Sequence, residues 1–206
     1  SAFAQKCYEQ TLAIYKARLG YDDPRVSRVL HNIGVMYHSK NQSSIAMKCF
    51  LKSLSIRKTA LGDNDISVAE SLCWIGKIHR ENDEFEAARQ SFLAAHRIKS
   101  LALGNDHSEC AEILHNIGVV CDDLGLYSES LSSFREALII RKANVRSVYD
   151  VNEMGDICDT LNCIANVYRA KMDRQRALQF FDQSLKRRAR IVSATLSDDD
   201  EQVSIL

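Results

Sequence analysis

Residues 30–34 read LHNIG, and the same five letters return at residues 114–118. Halfway between them, residues 72–76 read LCWIG: the Leu, Ile and Gly are kept while the pair in the middle is replaced. The copies extend outward. The skeleton Leu30, Ile33, Gly34, Tyr37 recurs as Leu72, Ile75, Gly76, His79, then as Leu114, Ile117, Gly118, Cys121, and finally as Leu161, Ile164, Ala165, Tyr168. The steps are 42, 42 and 47 residues. A second column follows with the same steps: Ala46 with Phe50, Ala88 with Phe92, Ser130 with Phe134, Ala177 with Phe181. A period held by two independent columns marks a repeat architecture.

Within each period, apolar residues recur three and four apart in two successive stretches, the pattern of two amphipathic helices, A and B. In the first repeat A is expected over about residues 25–39 and B over 43–60. Glycine inside a helix costs about 1 kcal/mol against alanine. Its return at Gly34, Gly76 and Gly118 therefore predicts a close approach of helix B, with Ala46 and Phe50 opposite.

The links are copied as well: LGYDDPRV at 19–26, LGDNDISV at 61–68 and LGNDHSEC at 103–110. Gly20, Gly62 and Gly104 suit a left-handed residue ending helix B, the Asp and Asn that follow suit caps, and Pro24 suits a first turn. The fourth link, residues 143–156, lacks the Leu-Gly pair and carries five extra residues, predicting a longer loop or an extra helical turn.

These residues resemble the tetratricopeptide repeat: Leu30, Ile33, Gly34, Tyr37, Ala46 and Phe50 match its pattern column by column. Lys58 stands where the 34-residue form closes with proline, and the 42-residue version is most similar to the repeats of kinesin light chains. The resemblance implies an all-α fold, an α-solenoid wound as a right-handed superhelix of antiparallel helix pairs. About four repeats plus an N-terminal half repeat are expected. The boundaries are 1–19 for helix B of a preceding repeat, then 20–61, 62–103, 104–145 and 146–195 for the repeats, and an acidic, solvated tail over 196–206. HEAT-type helix pairs share a similar period but lack the Gly/Ala packing signature.

At the N-terminus Ala4, Tyr8, Leu12 and Ile14 continue the helix B columns, so residues 2–18 are expected to expose an apolar face, either a cut edge or a dimer surface using Tyr8 and Leu12. At the other end the column Ile14, Ile56, Ile98, Ile140 gives way to Arg187. That polar switch predicts that the last helix B closes the stack, at least in part.

The 27 basic and 27 acidic residues balance, which argues against wholesale nucleic-acid binding. No apolar run reaches the roughly 20 residues of a membrane span. The seven cysteines are an odd number with no C-x-x-C pair, read as reduced thiols of a cytoplasmic protein. There is no phosphate-cradling loop, no G-x-S-x-G and no H-E-x-x-H. No catalysis, metal or cofactor is expected, and His31 and His115 sit two repeats apart.

What remains is binding. In the resembled family the A helices line a concave groove that accepts a peptide or a helix. The corresponding positions are Arg28, His31, Asn32, Val35 and His38 in the first repeat, and Glu70, Cys73, Trp74, Lys77 and Arg80 in the second. The third supplies Glu112, His115, Asn116, Val119 and Asp122, and the fourth Asp159, Asn162, Asn166 and Arg169. The family places ligand-backbone contacts where Asn32 and Asn116 stand; an amide side chain both donates and accepts. The same asparagines could instead hydrogen-bond neighbouring helices, and Trp74 could be a ligand anchor or core. Charge predicts a ligand that is acidic toward the first two repeats and neutral or basic toward the third. A chaperone-tail clamp is disfavoured, because His31 and Val35 replace the Lys and Asn it needs. A self-associating dimer is the structural alternative. Ser204 and Leu206 weakly match a C-terminal motif captured by PDZ domains.

Overall fold

The computed structural model describes residues 2–145 and 151–203. Ser204 and Leu206, and the middle of the fourth link at 146–150, lie outside the described residues. The chain divides into two compact units, residues 1–104 and 105–206. The first holds α1 (Ala2–Leu19), α2 (Pro24–His38), α3 (Ser43–Leu61), α4 (Ile66–Glu81) and α5 (Phe85–Leu103). The second holds α6 (Ser108–Asp123), α7 (Tyr127–Asn144), α8 (Val151–Ala170) and α9 (Arg174–Val203). All elements among the described residues are helical. A helices α2, α4, α6 and α8 pair with B helices α3, α5, α7 and α9.

The helix ends follow from the copied links. Asp23 and Asp65 accept from the backbone N–H of Arg25 and Ser67 at 2.8 and 2.9 Å, and His107 Nδ1 does so from Glu109 at 3.3 Å. Pro24 begins α2, where a missing N–H costs nothing. Gly20, Gly62 and Gly104 end the B helices at φ +88°, +91° and +90°. The short A-to-B turn also needs a positive φ in every repeat, and Asn41, Asp83, Gly125 and Met172 supply it.

Gly34, Gly76 and Gly118 give up their side chains to fully buried phenylalanines, Phe50, Phe92 and Phe134. In the fourth repeat Ala165 stands in the glycine column and Phe181 is only half-buried. Around these pairs the first unit packs Ala46, Phe50, Ile75 and Ile78, and separately Val26, Leu30 and Ile56. The second unit packs Leu131, Phe134, Leu138, Met154, Ile157 and Leu161 in one cluster.

Three end features differ from expectation. Leu12 packs against Val26, Leu30 and Ile56, so of the residues expected on the open face of α1 it is engaged, while Ile14 is exposed as expected. The Ile56 column faces its own A helix, so the switch to Arg187 says nothing about the outer face of α9, and that face keeps exposed Leu178 and Leu185. The helix also runs through the segment expected as a tail, to Val203, because residues 174–203 contain neither Gly nor Pro to stop it. Beside the insertion, α8 starts one turn earlier than α4 and α6 do in their repeats and is 20 residues long against their 16, which is the extra helical turn.

Candidate functional site

The first turns of an A helix, the end of its B helix and the start of the next A helix enclose a cleft. In the first unit it measures about 550 Å³ and is lined by Arg25, Ser27, Arg28, His31, Asn32, Arg57 and Glu70 among others. In the second unit a cleft of about 490 Å³ is lined by Ser108, Glu109, Glu112, Arg141, Asn144, Glu153 and Asp156. The two are the same place in the repeat: Arg25, Arg28, Arg57 and Ser67 correspond to Glu109, Glu112, Arg141 and Asp156. The floor is an arginine in both. The rim changes charge, from Arg25 and Arg28 beside Glu70 to the wholly acidic Glu109, Glu112, Glu153 and Asp156.

The floor arginine is the residue that the sequence reading missed. Arg57 is 4% exposed and donates to the Ser67 carbonyl, to Ser71 Oγ at 3.0 Å and to Glu70 at 3.2 Å. Arg141 repeats the contacts on α8, donating to the Asp156 carbonyl at 2.7 Å and to the Thr160 hydroxyl. Burial pulls both guanidiniums down from their ordinary value, opposed by Glu70 for Arg57, and by Asp156, Glu112 and Asp159 for Arg141. The signal was present: Arg57, Lys99, Arg141 and Arg188 form a basic column with steps of 42, 42 and 47. A basic residue on a helix ordinarily reads as solvated surface, so the column carried no weight.

His31 shows a second effect of the buried cation. Its ring meets the edge of Phe50 at 5.3 Å, and its Nδ1 is buried with no described partner. Burial, and then Arg57, hold its pKa down at about 4. His115 packs on Phe134 in the same way, with Nδ1 3.4 Å from both Arg141 and Thr160.

The other candidates differ in exposure and in their described contacts. Arg28, Asn32 and Glu112 are exposed on the clefts. Asn116, by contrast, donates to the Glu112 carbonyl of its own helix at 3.0 Å. Trp74 is half-buried, stacked on Phe50 at 5.4 Å, edge-on to His38, with Lys77 Nζ 5.0 Å above its ring. Val35 and Val119 pack against the cores, His38 meets Glu81 at 2.8 Å, and Cys73 is half-buried. Burial, and then Asp123, raise the pKa of Asp122. Asp159 accepts from Arg188 at 2.7 Å, Asn162 lines a separate cleft on α9, Asn166 is half-buried, and Arg80 and Arg169 are exposed. Tyr8 is half-buried on α1. All seven cysteines are free thiols. Among the described residues no three His, Cys, Asp or Glu side chains are placed to hold a metal ion, and no helix is long and apolar enough to cross a membrane.

Family models described as tetratricopeptide repeat match residues 2–59 and 67–143, and a further one matches 157–199. No curated protein sequence matches the chain. Among solved structures, BtubC (BKLC) from P. vanneervenii is 20% identical, with TM-score 0.84 over 92% of this chain and 74% of its own. A Podosopora anserina chain of nearly identical TPR-like repeats, designated a kinesin light chain, is 18% identical, with TM-score 0.74 over 90% and 85%. MamA is 18% identical, with TM-score 0.64 over 92% and 94%. At these identities the likeness is one of fold.

Proposed function

Because the chain belongs to the tetratricopeptide-repeat family, whose arrays generally mediate protein–protein interactions, we propose that it is a scaffold or adaptor without catalysis of its own. It holds a peptide or helix of a partner protein along the A helices. The observation that carries this reading is the repeated cleft: one pocket, built twice on an arginine floor, with a rim that goes from mixed charge to acidic while the packing columns stay fixed. Residues free to vary in charge around a conserved frame are what recognition of a charged segment requires. An acidic side chain suits Arg28 and Asn32, and a basic one suits Glu112. The free thiols agree with a reducing, cytoplasmic setting.

Affinity capture tests the reading. Partners retained by the intact chain and lost on Asn32→Ala are ligands of the first cleft. Asn116→Ala alone is expected to cost less, because that amide already serves its own helix. Retention of every partner by the double variant would refute the A-helix site.

A further inference from the structure

The outer face of α9 repeats an interface that two other B helices already use. Met47 and Leu54 on α3 pack with Ile75 and Ile78 of α4, and Leu131 and Leu138 on α7 are 6% and 7% exposed beside Ile157, Leu161 and Ile164 of α8. The same columns on α9 are Leu178 and Leu185, exposed at 69% and 68%. With Phe181, Asn162 and Arg188 they line a cleft of about 500 Å³.

Arg188 completes the match. It occupies the column of Arg57 and Arg141, which reach the first turns of the following A helix. The helices they receive share a pattern. An acid–hydroxyl pair, Glu70–Ser71 or Asp159–Thr160, is followed by apolar residues four and seven positions after the hydroxyl: Ile75 and Ile78, or Ile164 and Val167. The face of α9 therefore carries the apolar ridge and the cation that such a helix needs.

Among the described residues the chain does not fold back to supply that helix as it does after α3 and α5. B helices α3 and α5 end at Leu61 and Leu103, each followed by a left-handed glycine that turns the chain. The matching glycine position in α9 is Ser193, inside a helix that continues to Val203. Ten further residues carry the backbone about 15 Å along the axis, away from Leu178 and Leu185.

We propose that the α9 face binds an amphipathic helix of another protein, in the register of α4 on α3. The acid–hydroxyl pair of that helix lies at Arg188 and its apolar ridge lies over Leu185 and Leu178. This surface is distinct from the two A-helix clefts of the first and second units, although Asn162 lines it and Asp159 pairs with its Arg188 at 2.7 Å.

A synthetic peptide with the sequence of residues 66–81 serves as the probe, titrated against the whole chain by fluorescence anisotropy. Saturable binding is expected, weakened at least about tenfold by Leu185→Asp, which buries a charge under the peptide. Arg188→Glu is expected to weaken it several-fold, and a peptide with Glu70→Ala and Ser71→Ala should be insensitive to that variant. Both variants alter exposed side chains, and circular dichroism checks that they fold. Absence of saturable binding, or binding unchanged by Leu185→Asp and Arg188→Glu, overturns the proposal. So does a concentration-dependent dimer abolished by Leu185→Asp, which would make a second copy the occupant.

Discussion

A methyl group on Gly118 would lie 2.7 Å from the ring of Phe134, inside any distance two carbons tolerate. The corresponding distances are 2.8 Å for Gly34 and Phe50 and 3.0 Å for Gly76 and Phe92. Each ring is buried and close-packed, so it cannot swing aside without opening space elsewhere. Gly34→Ala and Gly118→Ala should each destabilise the fold by about 1–2 kcal/mol, overpacking outweighing the gain in helix propensity. Gly76→Ala should cost less. Urea midpoints of the three variants check the order.

Much of this is legible in the sequence. The glycine and phenylalanine columns fix helix pairing because their spacing reports a steric fit, and a steric fit leaves few alternatives. The Leu-Gly links fix helix ends because a left-handed turn tolerates few residues. Charge was less legible: Arg57 reads as surface in any one repeat, and only its burial against Ser67 and Ser71 shows its role. The Arg187 column does not report the end of the stack, because periodicity separates the faces of a helix without saying which neighbour covers each.

Arg57 should matter to stability despite its charge. Arg57→Met keeps the stem but strands the Ser67 carbonyl and the Ser71 hydroxyl, costing about 2–3 kcal/mol. Arg57→Lys keeps the charge without the fork and should lose about half of that. Thermal or urea unfolding compares them directly.

Acid should weaken the first unit in a defined window. The folded pKa of His31 is about 4 against an ordinary 6.5, so the unfolded chain binds the extra proton first. Its contribution is fully present above about pH 6.5 and is lost as pH falls toward 4. Asp23, held down to about 2 by Arg25, acts only below its ordinary 3.8. His31→Gln should flatten the stability profile between pH 6.5 and 4 and leave the steeper acid limb intact.

Met172 occupies the left-handed turn at φ 61° with 80% of its surface exposed. Met172→Gly should therefore stabilise the fourth repeat by about 1 kcal/mol, relieving backbone strain with little packing lost. Met172→Ala should show no such gain, which separates backbone strain from side-chain loss in the same unfolding assay.

The charge difference between the two clefts gives the most direct test of the central claim. An acidic and a basic peptide of equal length are titrated against the intact chain, Arg28→Glu and Glu112→Arg, at low and physiological salt. Binding through the A-helix clefts predicts that Arg28→Glu weakens only the acidic peptide and Glu112→Arg only the basic one, both losses shrinking as salt rises. Equal, salt-insensitive binding of both peptides to all three proteins would contradict it.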